Sequence, residues 1–482
     1  MTPQPKPDQK DLAALLAPDI LELLHSSPDV IGAETAELHP ADLADVAEHL
    51  PRHALPAFLA ALPSDRAADL LEYLDDDLRA ELLEEMSTEQ AAPLVAQMDP
   101  DERADVLEDV DEETADDILE AIPEATRLET ERLLEYPPDS AGGLMTTEVV
   151  SVLDSDTVET ALGQVRAIAR GGRREAMNTI YAVNADGALT GVMSLRELLA
   201  AAEGARIHEV AWTEVQRVIG TADREEVARV TSEYDLVAVP VVDERGRLLG
   251  AVTVDDVIDA IEEEQTEDVQ KLGGMEALDD PYMQTGFIAL LKKRAGWLAV
   301  LFIGEMFTAS AMGYFESELQ RASVLMLFVP LIISSGGNSG SQATSLIIRS
   351  LALGEATLSD WWRVAIRELS SGLSLGGILG AIGALRVLLW QFLSERGFHI
   401  GSLMIGYDYG PSYILIAITV AMTLVGVVTF GTLAGSMLPF LLRRIGFDPA
   451  SASAPFVATL VDVTGLIIYF TVALLILRGT LL

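Results

Sequence analysis

Five long apolar stretches fill the last two fifths of the chain, near residues 295–314, 323–346, 365–392, 412–442 and 453–477. Each is long enough to cross roughly 30 Å of hydrocarbon as a helix rising about 1.5 Å per residue, so the pattern predicts five transmembrane helices. Ahead of them the apolar positions keep another rhythm. Leu62, Leu74, Met86, Met98, Val110 and Ile122 recur every twelve residues, each closing a short unit that opens on a cap-like residue such as Ser64, Ser87 or Asp99. Such units bury their Leu/Val/Met faces on one another and predict a superhelical stack of short helices over 31–138, after an extension at 1–30. A second duplication follows at an offset of 59 residues, with Val183-Asn-Ala-Asp-Gly matched by Val242-Asp-Glu-Arg-Gly. Each half reads strand, helix, strand, tight turn, strand, helix, giving units at 139–203 and 204–262. The expected fold is multidomain: an α-helical superhelical N-domain, an α/β tandem, a connecting helix and linker over 254–291, and an all-α polytopic membrane domain at 292–482.

The connecting helix, expected over 254–272, changes the picture. Asp256, Asp259, Glu263 and Glu267 follow at spacings of three and four and share one face, with Val254, Ile258, Ile261, Val269 and Leu272 mostly opposite. Like charges so close repel unless something neutralises them. The chain as a whole carries 32 basic and 75 acidic residues, of which residues 291–482 hold only 12 and 10. The soluble part is therefore strongly acidic, which argues against nucleic acid or anionic lipid head groups as its partners and favours cations. An acidic proteome would give the same net charge, but not its clustering at one domain junction. Cysteine is absent, which excludes disulfides and Cys-ligated metal centres. No hydrophobic leader precedes the soluble half, which is expected in the cytoplasm. Basic residues at 292–294, at Arg349, Arg363 and Arg367, and at Arg443-Arg444 alternate with poorer connections at 315–322 and 394–410. The bias predicts a multi-pass plasma (inner) membrane protein with its N-terminus cytoplasmic and its C-terminus outside. No triad pattern, Walker loop or HExxH appears, so no enzymatic activity is expected.

Two features of the membrane half carry chemistry. Residues 330–342 read Pro-Leu-Ile-Ile-Ser-Ser-Gly-Gly-Asn-Ser-Gly-Ser-Gln inside an apolar stretch. A lipid-facing helix has no use for so many polar groups, because each costs free energy in hydrocarbon unless partnered. The second is Asp462, near the middle of the last stretch. A carboxylate there costs roughly 2.5–3.5 kcal/mol on insertion scales and marks an ion pathway, a proton relay or a buried pair.

The α/β duplication resembles a pair of cystathionine beta-synthase (CBS) domains. In that family a Ser/Thr followed three residues later by an acid contacts the ribose of an adenine nucleotide such as ATP. Thr253 with Asp256 match that pattern, and Ser194 with Glu197 match it loosely. Over nearly its whole length the chain resembles the MgtE-type magnesium channel/transporter family. The resemblance rests on the order of parts, on 330–342, on Asp448-Pro449 and Ala454-Pro455, and on Ala-Thr-Leu-Val-Asp-Val-Thr-Gly at 458–465. It implies a homodimer with a pore on its two-fold axis, walled by the second and fifth spans. Asp462 of both subunits would bind hydrated Mg2+, with Asn338 and the Ala458 carbonyl nearby. The ion's reluctance to dehydrate suits such a water-mediated site. The resemblance further implies that the helix at 254–272 plugs the pore when regulatory Mg2+ binds. Its ligands would come from Asp223, Glu225, Asp235, Asp256, Asp259, Glu264, Glu267, Asp268 and Asp448, and from acids at helix starts such as Asp99, Asp101 and Glu102. The family often carries Asn eight residues before the pore Asp; here that position is Ala454, which removes one cytoplasm-side contact. The expected function is Mg2+ uptake through a channel closed by cytoplasmic Mg2+. Its alternatives are a proton- or sodium-coupled divalent cation transporter and a nucleotide sensor on a passive anchor. The polar 330–342 stretch argues against the anchor, which needs no such face.

Overall fold

The computed structural model describes residues 9–170, 176–202, 204–278, 282, 283, 285–397, 399, 400, 403, 404 and 406–481. Residue 203, expected to end the first CBS unit, the first eight residues of the extension, and 279–281 and 284 of the linker lie outside the described residues. The chain divides into two compact units, 1–261 and 262–482, with the division inside the helix Val254–Leu272.

In the first unit the twelve-residue rhythm is one helix plus one turn. Leu62, Met86, Val110 and Ile122 sit at helix C-caps, and Leu74 and Met98 one residue or two beyond them. All six lie in or against the same core. Alternate helices pack on each other: Ser64–Glu72 on Thr88–Val95, and Thr88–Val95 on Glu112–Ala121. A second row stacks Asp76–Glu85, Pro100–Asp109 and Glu124–Leu133. The repeat therefore builds a two-row superhelix, each row burying the apolar face that a lone short helix would expose. Ser87 caps its helix in a box with Gln90, and Asp99 is the N-cap of Pro100–Asp109. Ser64 is not a cap: Pro63 takes that position, and the Ser64 hydroxyl instead accepts from Gln97 Nε2 at 2.5 Å.

Each CBS-type half is a three-stranded sheet. Val149–Leu153 runs parallel to Ala176–Val183, which pairs antiparallel with Leu189–Ser194; Val218–Ile219, Ala238–Val242 and Leu248–Thr253 repeat the arrangement. The two turns are built alike. Asn184 Oδ1 accepts from the amides of Asp186 and Ala188, Asp243 Oδ1 from those of Arg245 and Arg247, and Gly187 and Gly246 take φ of +81° and +78°. Those turns join the halves, since Leu189 N donates to Gly246 O and Leu248 N to Gly187 O. From the second sheet the chain passes straight into Val254–Leu272. Here the expected division of faces shifts: Val257 and Ala260 are the buried residues, while Ile258 and Val269 are exposed.

Among the described residues the second unit holds five helices long and apolar enough to cross a membrane: Phe287–Tyr314, Ser323–Ala352, Leu358–Glu395, Tyr413–Arg444 and Ala454–Leu477. Several outrun their apolar cores. The first begins ahead of Lys292-Lys293-Arg294, and the third carries Trp361, Trp362, Arg363 and Arg367 in its opening turns. Aromatic and basic residues at that level favour the interface, so the helix continues past the hydrocarbon. The fourth helix packs against the second, third and fifth, and the first packs on the fifth.

Candidate ion site and its acidic surroundings

Glycines let the membrane helices meet backbone to backbone. A Cβ on Gly340 would lie 2.7 Å from Val457 Cγ1, and one on Gly336 would lie 2.8 Å from Val461 Cγ1. Gly337 meets Ala458, where a Cβ would be 3.6 Å from its Cα. The second and fifth spans thus touch at the turn that carries Asn338, whose side chain is exposed. Asp462 is one helical turn beyond Ala458 and half-buried. Other polar groups of the stretch are spoken for: Ser335 Oγ donates to Leu331 O at 2.6 Å, Ser341 Oγ to Ala454 O at 3.3 Å, and Thr344 Oγ1 to Gly340 O and Gly435 O. Ser341 therefore reaches the backbone of the position where the family often has Asn. The Ser339 hydroxyl is buried and makes no hydrogen bond among the described residues.

One residue of this site escaped the sequence reading. Glu305, in the first span, lies within hydrogen-bonding reach of the Asp462 carboxyl. The contact follows from close helix packing, because a Cβ on the neighbouring Gly304 would come within 2.9 Å of Thr459 Cγ2. The signal was available: Glu305 is a carboxylate inside an apolar stretch, the same reason that singled out Asp462.

In the first unit a second acidic group surrounds Arg79, a buried residue that pairs with Asp76 and Asp109 at 2.8 Å each and with Glu102 at 3.5 Å. Burial first, then neighbouring carboxylates, pushes Glu102 up to about 8 and Asp105 to about 7 against the pull of Arg79. Glu72 rises to about 7, mainly by burial, while accepting from the Asp99 amide at 3.0 Å. Asp256 reaches about 6 through burial and the charges of Asp255 and Asp259, although Thr253 hydrogen-bonds it. Asp256 also adds to the field at Glu102, so the helical domain and the start of the connecting helix share one acidic neighbourhood. Sequence alone hid Glu72 and Asp105 among 75 acids.

The linkage has a definite sign. These carboxylates keep protons in the folded state that the unfolded chain releases near its ordinary carboxylate range, so their contribution is fully present at low pH and is lost as pH rises through about 7–8. With chelator present, the unfolding transition of the soluble half should move to lower temperature between about pH 5.5 and pH 8.5. A midpoint that climbs with pH in chelator would contradict the burial of these groups.

The other expected ligands divide between the two units. Asp223 caps Arg224–Tyr234 and accepts from the Glu225 amide, while Asp235 ends that helix in a left-handed conformation at φ +51°. In the second unit Glu264, Glu267, Asp268 and Asp448 lie together around Lys271. Among the described residues no group of three or more His, Asp or Glu forms a ready-made metal cage. The Thr253 and Asp256 pair is used locally, since Thr253 N and Oγ1 both donate to Asp256 Oδ2. Thr253 nevertheless lines a cleft of about 350 Å3 between the two sheets, with Tyr181, Val237 and Asp255. Ser194 and Glu197 close a capping box, and Glu197 also accepts from Trp212 Nε1 at 2.7 Å.

These parts define a polytopic membrane protein whose acidic helical and CBS-type modules lie ahead of five spans with a carboxylate inside the bundle. Residues 329–472 match the family model described as divalent cation transporter, MgtE, residues 38–139 the MgtE intracellular N domain, and residues 207–263 the CBS domain. The magnesium transporter MgtE of Thermus thermophilus is 43% identical over 354 residues, covering 73% of this chain and 74% of that protein. The magnesium transporter MgtE of Enterococcus faecalis is 35% identical over 350 residues, covering 73% and 72%. A solved structure described as the cytosolic domain of the Mg2+ channel MgtE in complex with ATP is 35% identical, covers 51% of this chain and 99% of its own, and has a TM-score of 0.48. The chain belongs to the MgtE family.

Proposed function

We propose that this protein is a magnesium channel of the membrane that takes up Mg2+ and is closed by cytoplasmic Mg2+. The observation that carries the reading is a carboxylate, Asp462, held half-buried in the last span, one turn from the Ala458 and Gly337 contact that brings Asn338 alongside. An oxygen-bearing wall of this kind suits a hydrated hard cation. Magnesium itself is taken from the named relatives. A homodimer would set two copies of Asp462, Asn338 and the Ala458 carbonyl around one axis, supplying the ligands that a single chain lacks. The N-terminus is assigned to the cytoplasm and the C-terminus to the outside from the basic residues flanking the spans.

The working parts are the helical domain at 31–138, the CBS units at 139–203 and 204–262, the connecting helix and the membrane domain. Regulatory Mg2+ would be drawn to Asp99, Asp223, Glu225, Asp235, Asp256, Asp259, Glu264, Glu267, Asp268 and Asp448, and to Glu72, Glu102 and Asp105, whose repulsion it relieves. Binding that favours one arrangement shifts the population toward it. The cleft beside Thr253 has the volume for part of an adenine nucleotide such as ATP. No catalytic step is assigned.

The test is Mg2+ flux into proteoliposomes with no gradient except the ion's own, as internal Mg2+ is stepped from micromolar to about 10 mM. Flux that falls as internal Mg2+ rises supports the gated channel. A coupled transporter is the second reading, favoured by the two carboxyl side chains, Glu305 and Asp462, that meet inside the bundle. Flux that appears only under an imposed proton or sodium gradient would replace the first reading with the second.

A further inference from the structure

Among the charged side chains of Val254–Leu272 there is one base, Lys271 in the last turn. Its Nζ lies 2.7 Å from Asp448 Oδ2 in the connection before the last span, and it also pairs with Glu267. Asp448 is held ready for it, because its other oxygen, Oδ1, accepts from Ala450 N at 2.8 Å. Burial and the charges of Asp448, Glu264 and Glu267 push the Asp268 carboxyl up to about 6, and Lys271 works against them. The ammonium is itself partly buried, yet its proton is held more firmly than that of a free lysine because Asp448 and Glu267 bind it.

The contact continues past the lysine. Gly274 turns the chain at φ +77°, where a Cβ would lie 3.0 Å from the Trp297 ring and 3.1 Å from Pro455 Cγ. Trp297 Nε1 donates to Ser453 Oγ at 3.1 Å. The end of the connecting helix is thus fastened to the segment 448–455, which leads directly into the span carrying Asp462. Four carboxylates gathered there repel one another, and one ammonium offsets part of that repulsion with a charge that cannot diffuse away.

We propose that Lys271 is a built-in cation that latches the end of the connecting helix to the segment before the last span, a positioning residue acting through Asp448 and Glu267 that holds this docked form when no metal is bound. The inference rests on the channel reading for its effect on flux, while the latch itself does not. Regulatory divalent ions then tighten a contact that already exists, and the flux remaining at zero cytoplasmic Mg2+ is set by this ion pair.

The experiment compares full-length wild type with Lys271→Gln, Lys271→Arg and Asp448→Asn in lipid bilayers without divalent ions. One readout is chymotryptic cleavage at the exposed Tyr282 in the linker; the other is initial Mg2+ uptake into a Mg2+-free lumen, followed by an internal dye. Cleavage and uptake of Lys271→Gln and Asp448→Asn should each rise about fivefold, Lys271→Arg should behave as wild type, and saturating Mg2+ should slow cleavage of the Gln variant. Wild-type cleavage of Lys271→Gln overturns the latch. Faster cleavage with unchanged uptake, in a chain that conducts, overturns its part in gating. If wild type conducts no Mg2+, the channel reading fails, and cleavage still decides the latch.

Discussion

Asp462→Asn should cut divalent flux by at least about a hundredfold, the equivalent of ~3 kcal/mol of lost ion stabilisation, while leaving the protein folded. The substitution keeps the shape of the side chain, and an amide can still hydrogen-bond Glu305, so helix packing around Gly304 and Thr459 has no reason to change. What disappears is the charge. On the proposed pathway a hydrated divalent ion is stabilised by few groups, and the neutral ligands proposed there, Asn338 and the Ala458 carbonyl, would offer dipoles alone. The check is flux in proteoliposomes beside size-exclusion elution and thermal midpoint of the same preparation. Wild-type flux from Asp462→Asn would move the pathway away from the last span.

The spans and the duplicated α/β halves were legible because each rests on a long periodic pattern: twenty or so apolar residues for a helix in lipid, and alternation around an Asx-Gly or Arg-Gly turn for the sheets. The twelve-residue repeat was legible for the same reason, since Leu62 and its five successors are one side of a continuous core. What the pattern could not give was pairing across helices. Glu305 meets Asp462 only because Gly304 lets the first span close on the fifth, a fact of packing that no spacing within either helix encodes. Lys271 carries no signal in the sequence beside so many acids, because its partner Asp448 stands 177 residues away and only the fold brings the two together. Ser64 failed as a cap for a local reason, a preceding proline whose extended backbone already ends the turn. Individual acids of the soluble half were least legible, because where more than one residue in five is acidic, spacing loses its power to select.

Gly435→Ala should be as damaging to the membrane unit as Asp462→Asn is to the ion path, although it touches no charged group. A Cβ at Gly435 would overlap the Gly340 carbonyl oxygen and come within 2.7 Å of Thr344 Oγ1, which hydrogen-bonds both Gly340 O and Gly435 O at 3.0 Å. Backbone cannot swing aside as a side chain does, so the second and fourth helices must part. Overpacking of this kind costs about 1–3 kcal/mol, and the added methyl recovers less than that in helix propensity, since glycine is worse than alanine by only about 1 kcal/mol. The displacement does not stay local. Gly340 also packs on Val457 and Gly431, and Gly336 on Val427 and Val461, so moving the second helix alters its register against the span that carries Asp462. The thermal midpoint and the flux should therefore fall together. Gly377→Ala supplies the control, since a Cβ there meets nothing within 4 Å and the substitution should leave both unchanged or raise stability slightly. Equal midpoints for the two variants would show that the helices tolerate a wider spacing and that glycine contact does not set the geometry of the ion path.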